Sequence, residues 1–67
     1  MLRKNEFKAA LARNNMTIED IAKALNVTSP TVFRKLNGTS DFFRSEIDAI
    51  SKLLHLSSEE ILKIFFA

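Results

Sequence analysis

Apolar residues along the chain recur three and four positions apart, and no stretch alternates with period two. The pattern therefore predicts an all-α protein. Phe7, Ala10 and Leu11 define the inner face of a helix over about residues 3–13. Ile21, Ala22 and Leu25 do so over 18–25, and Val32 and Leu36 over 29–36. Ile47, Ile50, Leu53 and Leu54 mark a fourth helix over 44–54. Ile61, Leu62 and Phe65 mark a fifth over 58–66. Between the third and fourth, residues 39–43 read as a loop whose Phe42 plugs the core.

The polar positions between these segments say where each helix stops. Three trios share one design: Asn15-Met16-Thr17, Asn26-Val27-Thr28 and His55-Leu56-Ser57. The first residue takes the left-handed turn that ends a helix, a conformation asparagine tolerates. The second is apolar and staples onto the residue five positions on: Met16 to Ile21, Val27 to Val32, Leu56 to Ile61. The third caps the next helix through its hydroxyl. Asp20 and Glu60 stand three residues after Thr17 and Ser57, at capping-box spacing. Pro30 falls in a first turn, where its missing amide hydrogen costs little. Asn37-Gly38 closes the third helix.

Length and charge narrow the reading further. A chain of 67 residues allows one domain, which buries about 60% of its unfolded surface, so the 46% apolar content must be used fully. There is no cysteine, which excludes disulfides and thiolate metal sites and fits a reducing cytoplasm. No apolar run approaches the roughly 20 residues needed to span a bilayer, and the N-terminal MLRKNEFK has no signal-peptide core. Net charge is +2. Residues 1–40 carry seven basic side chains against three acidic, and residues 41–67 carry three against five. A positive half favours a polyanionic partner on that side.

A three-residue break between two short helices is the helix-turn-helix spacing. Residues 18–37 fit its twenty-residue pattern. Ala22 supplies the small fifth position where the helices touch, Asn26 the left-handed ninth and Val32 the branched aliphatic fifteenth. The stretch TIEDIAKALNVTSPTVFRKLNGTS, continued by SEIDAISKLLHLSSEEIL, resembles the Cro and phage-repressor (lambda-repressor-like) family of five-helix DNA-binding domains. TVFRKLNG and the closing EEI and FF are also similar to small prophage-encoded proteins of Gram-positive bacteria. The resemblance covers about residues 4–65 and implies a cytoplasmic transcriptional regulator that binds an operator as a dimer. Two positions depart from it. Ile18 stands where the family often has a bracing glutamine, and Ser29-Pro30 where it has a long polar reader.

Docked in that manner, the third helix enters the major groove, about 12 Å wide. Ser29, Pro30, Thr31, Phe33, Arg34 and Asn37 are then the candidates for base contact. The fork of Arg34 matches guanine O6 and N7. Phe33 either meets a thymine methyl or folds over the helix as partial core. Thr17, Thr28, Lys35, Thr39, Ser40 and Arg44 are candidate phosphate clamps, with plain solvation as the alternative for Lys35 and Arg44. The last helix holds more apolar residues than one face can bury, so Ile64, Phe65 and Phe66 are expected to form a homodimer contact. The alternative is that the last turn packs back on the first helix.

Catalysis has no support. The single histidine, His55, sits at a helix end with no titratable partner at recognisable spacing, and Glu59-Glu60 is explained by capping. No cofactor, metal or small-molecule substrate is expected. The rival reading is a protein-binding module of the same fold, an antirepressor or antitoxin-like partner with little DNA affinity.

Overall fold

The first four helices end in the same way. In the computed structural model, which describes residues 2–66, these are α1 (Lys4–Arg13), α2 (Ile18–Leu25), α3 (Ser29–Leu36) and α4 (Arg44–Leu53). After each, one residue has positive φ: Asn15 at 54°, Asn26 at 59°, Gly38 at 84° and His55 at 54°. The next amide then donates back across the last turn: Met16 to Leu11 O, Val27 to Ala22 O, Thr39 to Arg34 O and Leu56 to Ser51 O, each at 2.9 Å. This is the Schellman arrangement, which satisfies carbonyls that a helix end leaves open. The three asparagine and histidine positions are the first members of the three trios, as their sequence predicts.

The next helices open on hydroxyl caps. Thr17, Thr28 and Ser57 accept from the backbone N–H three residues on and begin α2, α3 and α5 (Ser58–Phe65). At α4 the residue before the helix is Phe43, whose side chain cannot cap. There Glu46 supplies half of the device by accepting the Phe43 N–H at 2.7 Å. α1 has no side-chain cap.

Phe7, Ile21, Val32, Ile50 and Leu54 are fully buried, with Ala10, Leu11, Ala22, Leu36, Ile64 and Phe65 around them. Phe42 reaches in from the loop and meets Phe65 edge to face at 5.7 Å between centroids. Met16, Val27 and Leu56, the middle residues of the trios, pack against this core. Burying a large side chain stabilises by about 1.5–3 kcal/mol, against about 1 kcal/mol for a cap. The core therefore holds the fold, and the corners decide the path of the chain through it.

The fifth helix corrects one expectation. Its inner face is Ile61, Ile64 and Phe65, while Leu62 is 60% exposed. Positions i, i+3 and i+4 form one face at 3.6 residues per turn, and Leu62 falls on the next stripe with Phe66. Ile64 and Phe65, expected in a dimer contact, are instead core residues. The Ile64 carbonyl accepts the Arg3 N–H at 2.7 Å, so α5 is docked on the start of α1. Phe66 remains 61% exposed. No helix of the described residues is long and apolar enough to cross a membrane.

Candidate nucleic-acid interface

The corner at Asn26-Val27-Thr28 turns the chain so that α3 packs on α2 through Val32 and Leu36. The rest of α3 faces outward. Pro30, Phe33, Arg34 and Asn37 are exposed, and Ser29 and Thr31 are half-buried. Phe33 is 46% exposed and does not fold into the core.

One edge of this face is wired together. Thr31 Oγ1 lies 2.9 Å from Thr28 Oγ1 and accepts from Arg34 Nη2 at 3.1 Å. The three side chains sit at spacing i, i+3 and i+6, so they line up along the helix. Thr31 thereby holds one arm of the Arg34 guanidinium and leaves the others to donate outward. When Thr31 donates to Thr28, the Thr28 hydroxyl hydrogen is free for an acceptor such as a phosphate oxygen.

The start of α3 also differs electrostatically. Glu6, Glu19 and Asp20, Glu46, and Glu59 and Glu60 stand in the first turns of the other helices, and α3 has no acid there. A helix N-terminus carries about half a positive charge and attracts anions unless side chains neutralise it. Among the described residues, α3 is the helix whose positive end is left bare.

Two expected clamps are not available. Lys35 is 7% exposed rather than solvated. Its ammonium donates to Glu46 Oε1 at 2.9 Å and to the Asp41 carbonyl at 3.0 Å, and lies 4.4 Å from the centre of the Phe43 ring. It is the lock that ties the loop after α3 to α4. Its position, three residues after Val32, lies on the inward face by helical period. Thr17 also drops out. Its hydroxyl donates to Asp20 Oδ2 at 3.1 Å and accepts the Asp20 N–H at 3.2 Å, with a carboxylate beside it. That arrangement repels a phosphate rather than binding one.

Thr39 and Ser40 are exposed in the turn after α3, and Arg44 is exposed at the first residue of α4. Ile18, in place of a polar brace, packs against the core. Lys4 joins the face unpredicted: its Nζ donates to Asn37 Oδ1 at 2.8 Å across 33 residues of sequence. No local pattern brings those residues together. His55 serves as the left-handed turn residue of the α4–α5 corner.

Glu60, in that corner, makes a contrast. Its Oε1 accepts the Ser57 N–H at 3.1 Å and its Oε2 pairs with Arg13 at 2.6 Å. The Ser57 backbone hydrogen bond first, and Arg13 with it, hold the Glu60 carboxyl below the ordinary carboxylate value.

Comparison with curated proteins and with solved structures finds no match. A profile of the Cro/C1-type HTH DNA-binding domain matches residues 6–66. That span holds the whole of α2–α5 and most of α1. Because the corner and its outward face lie inside it, the chain belongs to the Cro/C1-type helix-turn-helix DNA-binding family.

Proposed function

We propose that the protein is a sequence-specific transcriptional regulator, a Cro-like repressor that binds a pseudo-palindromic double-stranded operator as a dimer. The observation that carries this reading is the exposed face of α3, with a bare positive N-terminus and the Thr28-Thr31-Arg34 row beside it. The N-terminal half of α3 lies in the major groove. Arg34 donates to guanine O6 and N7, and Ser29, Pro30, Thr31, Phe33 and Asn37 border the neighbouring base edges. Thr28, the first amides of α3, Thr39, Ser40 and Arg44 hold phosphates on either side.

The dimer forms through the outer stripe of α5, Leu62 and Phe66, both exposed and adjacent on the helix surface. Ile64 and Phe65 take no direct part, being inside the monomer. A twofold contact there sets two α3 helices about one turn of DNA apart, so half-sites are expected at about 10 base pairs centre to centre.

Selection of bound duplexes from a random pool tests the reading. The expected result is a pair of inverted half-sites at that spacing, with affinity falling on added salt by about 0.9 log units per log unit for each phosphate held. No binding to any duplex at low salt contradicts it and leaves the protein-partner module.

A further inference from the structure

We infer that Lys4 is a specificity-determining residue, which acts with Asn37 to favour guanine over adenine at the base pair facing the end of α3. The inference rests on the DNA-binding reading above.

Lys4 stands where it gains nothing for its own helix. It is the first residue of α1, preceded by Arg3, and the helix has no side-chain cap. Cations at the positive end of a helix are unfavourable, by about 0.3–1 kcal/mol. A broken local rule of this kind points to a role elsewhere. The backbone beside it is fixed, because the Arg3 N–H donates to the Ile64 carbonyl at 2.7 Å. From that anchored start the ammonium spans to α3 and donates to Asn37 Oδ1 at 2.8 Å.

The atoms of the pair dictate its chemistry. An ammonium has donors and no acceptor, so it fixes the Asn37 amide with the oxygen toward Lys4 and the NH2 group away. A free asparagine reads adenine by accepting from N6 and donating to N7. Here an adenine amino group approaching the amide oxygen meets a like-signed ammonium. The combined edge of Lys4 Nζ and Asn37 Nδ2 offers only donors, and guanine O6 and N7 offer only acceptors.

The test is duplex selection with the wild-type chain, Lys4→Met, Asn37→Ala and the double variant, with thermal unfolding as the check on folding. Both sites are exposed, so all four are expected to fold. The wild type is expected to prefer guanine by roughly tenfold at that pair. Lys4→Met should shift the preference to adenine, Asn37→Ala should abolish it, and the double variant should match Asn37→Ala. Two results overturn the inference while leaving DNA binding intact. One is an unchanged preference in Lys4→Met. The other is a uniform loss of affinity with a salt slope reduced by about 0.9, which makes Lys4 a phosphate clamp. Failure of the wild type to bind any duplex defeats both readings at once.

Discussion

The corner between α2 and α3 and the corner between α4 and α5 are built alike and do different things. Each has a left-handed residue, an apolar residue packed on the core and a hydroxyl cap: Asn26-Val27-Thr28 in one, His55-Leu56-Ser57 in the other. Each sends off a helix of eight residues. The helices differ in the residues after the cap. α5 opens with Glu59 and Glu60, which neutralise its positive end and reach back to Ser57 and Arg13. α3 opens with Ser29-Pro30 and carries Arg34 outward. The corner fixes a direction. The charge of the first turn and the outer side chains decide whether that direction is useful to an anion.

The comparison can be broken most sharply by moving the acid. Pro30→Glu puts a carboxylate in the first turn of α3, as in α5. Like charge facing a phosphate costs several kcal/mol, so duplex affinity should fall about a hundredfold or more, while thermal stability holds or rises. Titration of the same duplex with Glu59→Ala should show no loss. Unaffected binding in Pro30→Glu would mean that this helix end meets no phosphate.

Arg34→Ala tests the outer face rather than the helix end. It should cost roughly 1–3 kcal/mol and relax preference at one base pair in competition binding. Equal weakening on all sequences would make Arg34 a phosphate contact instead of a reader.

The shared device has its own test. His55 has a φ of 54°, in the region where a Cβ is strained by about 1–2 kcal/mol and glycine is not. His55→Gly should raise stability in denaturant titration by about 1 kcal/mol, and Asn26→Gly by less, since asparagine already tolerates the turn. Neither should change duplex affinity much. A loss at either site would show that the side chain, and not the backbone turn, matters there.

The smallest effect is expected from acid. Glu60 has its carboxyl lowered in the fold, so its contribution is complete above the ordinary carboxylate value and is lost as pH falls through the depressed one. Thermal unfolding of Glu60→Gln should therefore lose less on acidification than the wild type does. Equal acid sensitivity would assign the loss to other carboxylates.

These corners were legible in the sequence because everything that makes them is local. A turn residue, a staple and a cap lie within three positions, and the helix period on either side agrees with them. The five helices and the outward face of α3 came from the same local signals. What failed to show was set across the fold. Lys35 looks like any surface lysine until Glu46 and Phe43 arrive from the next element. Its helical phase with Val32 was the available clue, overruled by its charge. Thr17 and Thr28 look alike as caps, and only the hydroxyl geometry separates one committed to a carboxylate from one free to donate. Leu62 and Ile64 exchanged places because two overlapping apolar stripes exist on α5, and docking on α1 selects between them. The contact between Lys4 and Asn37 joins residues from different ends of the sequence, with no periodic trace.

The central claim is that α3, and not α5, presents its surface to a duplex. Backbone amide shifts recorded while a short duplex is added at low salt measure that directly. The account predicts movements concentrated at Thr28, Ser29, Thr31, Arg34 and Asn37, with the amides of Glu59 and Glu60 nearly still. Movements centred on α5, or none at all, would contradict it.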